Sequence, residues 1–279
     1  MTASTADPTT IRSRTVPAGR QTFARAVNAE WIKLRTLRST WIISAIALVI
    51  TVLIGGGVAV SSANDPMASS DAAGSILIGT TFGEIVVAVL GALAVTGEYS
   101  SGQIRSSLAA VPRRSRLLLA KALVLAAWSF LLGVVSIALT WAVSAPFMGD
   151  AAPSLTNAHQ VGFIWGTGLG YAGIALMALG FGFLMRSTAG SITAVTVLMF
   201  VVDIPLGIMS SRWDWAANVS EMMPQTAVTS VVDPFAIQRS WADAGAGGFL
   251  THTQAVLVFA CWVLVPLLLG WAVFTRRDA

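Results

Sequence analysis

The sequence predicts an all-α, polytopic membrane protein with six transmembrane helices. Hydrophobic residues make up 55% of its 279 positions and charged residues only 11%, where a soluble domain carries about 25% charge. Mean hydropathy is +0.75. The apolar residues gather into six runs of the roughly 20 residues needed to cross a bilayer as a helix. With six spans the basic residues also gather on one side, with only Arg212 and Arg239 on the other.

The first 20 residues are polar, rich in Thr, Ser and Ala, and contain Pro8 and Pro17. They read as a disordered tail and not as a cleavable signal peptide. The remainder, 21–279, reads as one membrane domain. Within 21–40, Phe23, Val27, Trp31, Leu34 and Leu37 fall at helical spacing on one face, with Arg25, Asn28, Lys33 and Arg35 off it. This is the pattern of a basic amphipathic helix lying in a membrane interface and contacting lipid.

The spans are expected at about 41–60, 75–96, 117–145, 161–185, 189–209 and 253–274. Gly55, Gly56 and Gly57 read as a flexible end of the first span, not a phosphate cradle. Pro146 and Gly149 open the segment between the third and fourth spans, and Arg186, Ser187 and Thr188 form the turn between the fourth and fifth. Segment 210–251 is long for a connector. Trp213, Trp215 and Trp241 suit an interfacial belt, and apolar runs broken by Pro224 and Pro234 suit short helices dipping into the outer leaflet.

Orientation follows from the basic residues. Arg12, Arg14, Arg20, Arg25, Lys33, Arg35 and Arg38 precede the first span. Arg105, Arg113, Arg114, Arg116 and Lys121 lie between the second and third. Arg186, Arg276 and Arg277 complete the same side, whereas Arg212 and Arg239 share the other side with most of the acids. Both termini are therefore expected in the cytosol.

The polar stretch 96–116 is the most informative segment. Ser100 and Gln103 have capping-box spacing. Ile104, Leu108 and Val111 follow at i, i+4 and i+7 as one apolar stripe, and Pro112 ends the helix. A short helix held between two spans on the arginine-rich side is a docking surface for a cytosolic partner.

The high pI does not indicate nucleic acid, because the basic residues flank spans and do not interleave with aromatics. The single cysteine, Cys261, excludes an intrachain disulfide and reads as a small buried hydrophobe. No G-x-x-x-x-G-K-[ST], H-E-x-x-H or G-x-S-x-G occurs, and His159 and His252 lack neighbours at metal-ligand spacing. No catalytic set and no metal site is expected. Glu84 is the one acid deep inside a span, so it is expected to face the protein interior. There it meets either a hydroxyl such as Thr80 or Thr81 or a cationic group on a cargo. Asp203, close to Pro205, reads as a helix-end residue.

The segment Ala29-Glu30-Trp31-Ile32-Lys33-Leu34-Arg35-Thr36-Leu37-Arg38-Ser39-Thr40-Trp41, followed after the second span by Gly97-Glu98-Tyr99-Ser100-Ser101-Gly102-Gln103-Ile104-Arg105, resembles the ABC-2 type permease subunits of bacterial ABC transporters. The resemblance covers the ordered chain. It implies a bacterial cell-membrane subunit that carries no cofactor of its own and pairs with a second permease, identical or paralogous. Two cytosolic ATPase subunits hold ATP and Mg. It further implies export, with a coupling helix at about 100–111 that enters a groove on the ATPase: Glu98 and Tyr99 at its base, Ile104 and Leu108 transmitting motion, Arg105 on its surface. A pathway along spans one, two and five would suit a hydrophobic or amphiphilic cargo such as a drug, lipid or peptide. The alternative is an anchoring or sensory subunit that binds a cytosolic partner without moving cargo.

The topology is testable by single-cysteine labelling in a Cys261→Ala background. Cysteine at position 114 should resist an impermeant reagent applied to intact cells, and cysteines at 65, 150 and 243 should react. Labelling of position 114 from outside overturns the six-span orientation.

Overall fold

The computed structural model describes residues 22–65, 72–111, 113–152, 154, 156–234 and 251–276. Twelve α-helices form among them, with no strand. In order they are α1 (Phe23–Thr36), α2 (Arg38–Ala63), α3 (Ala72–Ser75), α4 (Ile78–Ser100), α5 (Gln103–Ala110), α6 (Arg114–Met148), α7 (Ala158–Met185), α8 (Thr188–Thr196), α9 (Asp203–Ser210), α10 (Asp214–Glu221), α11 (Pro224–Val232) and α12 (His252–Arg276). Six helical stretches are long and apolar enough to cross a membrane: 38–63, 72–100, 114–151, 160–185, 188–210 and 253–276. They match the six expected spans.

Helix α1 is separate from the first span. Thr22 caps it by accepting from the Arg25 amide, and the chain turns at Leu37 (ψ 122°) before α2 begins. Trp41 donates its indole N–H to the Arg35 carbonyl at 2.8 Å, which fixes the corner. Trp128 of α6 stacks edge-on against both Trp31 and Trp41 and donates to Ser44 Oγ at 3.0 Å. One indole therefore ties α1, α2 and α6 together.

The buried face of α1 differs from the expected one. Ala26, Glu30 and Leu34 are buried, Val27 and Trp31 are half-buried against the core, and Phe23 and Leu37 are exposed. The face has rotated because it meets α6 as well as an interface, and because Glu30 and Lys33 have partners there.

Helix α7 is the hub. It packs against α4, α6, α8, α11 and α12, and Phe163, Tyr171, Ile174, Met177, Leu179 and Phe183 are all buried on it. At the other extreme, only 11% of the apolar window of 188–210 is buried inside the chain, against 67% for 160–185. That contrast leaves Val201, Ile204 and Ile208 pointing away from the bundle.

Several connections depart from the sequence reading. Gly55, Gly56 and Gly57 lie inside α2, not at its end, and Gly55 and Gly56 are buried. A Cβ on Gly79 would overlap the Thr51 carbonyl and come within 2.6 Å of Gly55 N, so the two glycines let α2 and α4 cross at backbone contact. Helix α6 continues through Pro146 to Met148 and stops at Gly149 (φ 55°). Its 35 residues make a rod of about 52 Å, longer than the roughly 30 Å hydrocarbon layer. The fifth span breaks into α8, a π-turn over Val197–Val201 and α9. The Val202 amide donates to the Val197 carbonyl at 2.9 Å, and Pro205, which has no N–H, sits in the first turn of α9 where none is needed. Cys261 is exposed on α12, not buried.

The expected short helices in 210–251 occur as α10 and α11, with Pro224 at the first turn of α11. The run at 235–237 and Trp241 lie outside the described residues, as do the 1–20 tail, Pro112, Asp243 and the side chains of His159 and His252.

The α2–α4 crossing is testable. Gly79→Val should destabilise the chain by about 1–3 kcal/mol, the cost of forcing volume into a filled contact. Gly57→Val, which meets nothing within 4 Å, should be near neutral. Thermal unfolding in detergent reads the difference.

Candidate functional site

Two sites stand at opposite ends of the bundle. The first is at the end bearing Arg113, Arg114 and Arg116. The chain has only two lysines, Lys33 and Lys121, and both converge on Glu30 and Glu98. Lys33 Nζ lies 2.8 Å from Glu30 Oε1 and 2.6 Å from Glu98 Oε1. Lys121 Nζ lies 2.7 Å from Glu30 Oε2 and 2.7 Å from Glu98 Oε1. Two carboxylates and two ammonium groups thus alternate in a neutral ring contributed by α1, α4 and α6.

Lys121, Glu98 and Glu30 are buried at 4%, 4% and 6% exposure, which is sustainable only because each charge touches two of the opposite sign. Burial pulls the Lys33 ammonium down, but hydrogen bonds and attraction from Glu30 and Glu98 outweigh it, so its pKa stands above the ordinary 10.5.

This ring also reaches α5. Lys33 Nζ donates to Ser107 Oγ at 3.4 Å. The amphipathic helix, the end of the second span, the short helix after it and the start of the third span are therefore held as one unit. Sequence reading placed Lys33 on the polar face of α1 and did not single out Glu30. The available signal was that each of the only two lysines follows one of the two motif glutamates, in the order Glu30, Lys33, Glu98, Lys121.

The short helix forms, over Gln103–Ala110, with two differences from expectation. The capping box is absent. Ser100 ends α4 and donates to the Gly97 carbonyl, and the N-cap position is Gly102 in the left-handed region (φ 72°) with no side-chain cap. The physical reason is a sharp reversal between α4 and α5, which needs a positive φ where a capping residue would be extended. Second, the apolar stripe faces inward. Ile104 is 4% exposed in the chain's own core, with Leu108 and Val111 packed beside it. The face left outside carries Gln103, Arg105, Ser106 and Ala109. Tyr99, at the base, lies under the Arg186 guanidinium, 4.9 Å from the ring centroid. Arg186 itself holds φ 51° at the α7–α8 turn.

The second site is a cavity of about 540 Å³ at the opposite end, between α4, the α8–α9 segment and α11. Glu84 forms part of its wall and is 2% exposed. The expected interior placement holds, but the neighbour differs. Thr80 Oγ1 donates to the Leu77 carbonyl, and it is the Gln225 side chain of α11 that hydrogen-bonds the Glu84 carboxyl. Asp203 lines the same cavity and hydrogen-bonds Ser220. The second and fifth spans and α11 line this cavity. Among the described residues no group of three or more His, Cys, Asp or Glu is placed to hold a metal.

The charge ring is testable. Lys121→Met should cost about 3–5 kcal/mol, because it strands two buried carboxylates. Lys121→Met with Glu98→Gln should recover part of that, since Glu30 and Lys33 remain a matched pair. The stabilisation from Lys33 is fully present below its ordinary pKa of 10.5 and is lost as pH rises through the higher folded value. Thermal unfolding of the three proteins against pH reads both effects.

The sequence matches the profile described as ABC-2 family transporter protein over residues 26–203. That range runs from α1 to the start of α9 and contains the charge ring, α5, Glu84 and Asp203. A search among curated proteins finds no match. Six apolar helices, a separate N-terminal helix locked to the first spans and a match over more than half its length agree: the chain belongs to the ABC-2 transporter family.

Proposed function

We propose that this chain is the permease subunit of an ATP-driven exporter. Its cargo is hydrophobic or amphiphilic, and its power comes from two separate cytosolic ATPase subunits that hold ATP and Mg. A second permease, identical or paralogous, completes the pathway. The family normally works with such ATPases. The observation that carries the reading is the attachment of α5: a rigid amphipathic turn bonded through Ser107 and Ile104 to α1, α4 and α6. A push on α5 is passed directly to the ends of the second and third spans.

The charge distribution supports a cytosolic location for α5 and both termini in the plasma membrane of a bacterium. Gln103, Arg105, Ser106 and Ala109 then form the surface offered to the ATPase, while Ile104 and Leu108 transmit the load from within. The cavity wall, rich in apolar residues with a few polar groups, supports a cargo with a large apolar part. The sparsely buried 188–210 span supports a lateral partner such as the second permease.

The two faces of α5 should separate in mutagenesis. Arg105→Glu should leave folded yield unchanged and weaken ATPase association by about tenfold or more, the scale of a well-placed interface charge. Ile104→Asp should lower the folded yield of the permease itself, because it buries an unpaired charge at a cost of several kcal/mol. Co-purification with the ATPase, cargo-stimulated hydrolysis and detergent thermal stability measure these. Normal association and coupling in Arg105→Glu and in Arg105→Glu with Ala109→Glu removes α5 as the coupling element. Association without cargo-dependent hydrolysis would instead favour a non-transporting anchor.

A further inference from the structure

Three residues that line the cavity between α4, α9 and α11 each carry an unmet acceptor. Glu84 Oε2, Asp203 Oδ1 and Gln225 Oε1 are each buried and have no hydrogen-bond partner among the described residues. Buried acceptors are normally satisfied, so three on the wall of one cavity leave donors to be supplied. Their other polar contacts are already used: Gln225 bonds Glu84, and Ser220 bonds Asp203. Several nearby hydroxyls are committed elsewhere: Tyr171 and Thr51 bond each other at 2.6 Å, Thr80 donates to the Leu77 carbonyl, and Thr229 donates to the Gln225 carbonyl.

Among the described residues no lysine or arginine lines the cavity, although two carboxyl groups do. The remaining wall is mostly apolar, with Leu77, Met199 and Phe200 inside and exposed Phe82, Ile204 and Ile208 at the mouth. At about 540 Å³ the space falls within the range that encloses a drug-sized molecule.

The geometry points to a binding site for a hydrophobic organic cation bearing N–H donors, those donors between Glu84 and Asp203 and its apolar body against the α4 and α9 side chains. Two acids and a carbonyl oxygen supply what the N–H groups of such a cation need: acceptors, two of them of opposite charge, in a low-dielectric setting. A neutral lipid leaves all three acceptors unmet, and an anion meets repulsion from the carboxylates. The mouth between Phe82 and Ile208 admits a ligand sideways along an apolar surface. That this ligand is cargo rests on the permease reading; that the site binds it does not.

The test uses the full chain in nanodiscs without ATPase. Ethidium, a planar cation with two amino groups, is the cationic probe, and Nile red is a neutral apolar probe of similar size. Ethidium should bind saturably, and Glu84→Gln and Asp203→Asn should each weaken it by about tenfold or more, as expected when one partner of a buried charge pair is neutralised. Nile red binding should change by less than about twofold, since the apolar wall is intact.

Thr229→Trp, which fills the cavity, should abolish ethidium binding. If Glu84→Gln lowers the folded yield, Asp203→Asn on the half-buried side of the cavity carries the comparison alone. Absent ethidium binding, equal affinity in wild type and both variants, or survival of binding in Thr229→Trp overturns the site. Failed ethidium binding with intact ATPase association would overturn this inference and leave the permease reading standing. Charge-dependent binding without ATPase association would do the reverse.

Discussion

The ring of Glu30, Lys33, Glu98 and Lys121 is the constraint on which the arginine-rich end of the molecule depends. A single buried carboxylate or ammonium would cost several kcal/mol. Here each is balanced by two neighbours at 2.6–2.8 Å, and the sum is neutral. The ring is worth less as net stability than as specificity. Its members come from α1, α4 and α6, so none can leave without stranding the others. That property turns three helices that lipid and packing alone would hold loosely into one block. Ser107 then attaches α5 to it, and the indole of Trp128 ties two of the same helices, α1 and α6, to α2.

The bundle behind that block is built on close backbone approach. Lipid offers no hydrophobic drive for helix association, so small residues that bring backbones together matter most. Gly55 against Gly79 joins α2 to α4, Gly91 sits against the Ala175 backbone of α7, and Gly133 would place a Cβ 2.7 Å from the Thr167 carbonyl of α7. These contacts make α7 the axis around which α4 and α6 are fixed. The 188–210 span lacks comparable contacts with most of the bundle and is interrupted by a π-turn. The stiff part of the molecule thus lies between the charge ring and α7, and the outward-facing α8–α9 segment is its least supported part.

The two ends treat charge in opposite ways. In the ring every carboxylate faces an ammonium group of the same chain. In the cavity Glu84 and Asp203 face amide and hydroxyl groups, with spare acceptor oxygens and, among the described residues, no lining lysine or arginine. The first arrangement is closed and structural. The second has unmet capacity, and that is the difference between an element that holds the protein together and one that can hold something else.

The six spans, the separate interfacial helix and the short helix after the second span were legible because each depends on local composition. A run of apolar residues must be a helix in lipid whatever it packs against, whereas the breaks at Leu37 and Gly102 were not legible: in sequence Leu37 falls on the apolar face of the first helix, and the capping-box spacing begins the short helix at Ser100. Charge asymmetry across those spans was legible for the same reason. The tertiary structure alone decided which face of each helix is used. Ile104 and Leu108 make an apolar stripe that suits a partner or the chain's own core equally well, and only the position of α1, α4 and α6 sends it inward. Lys33 lies on the face of α1 that reads as polar, and only Glu98, 65 positions away, turns its ammonium toward the bundle. Glu84 was legible as an interior acid because burial cost depends on its own depth, but its contact with Gln225 came from a helix 141 positions later in numbering (225 minus 84). Hydropathy is a property of a segment and survives in the sequence; the partner of a charge is a property of distance in space and exists only once the helices have packed.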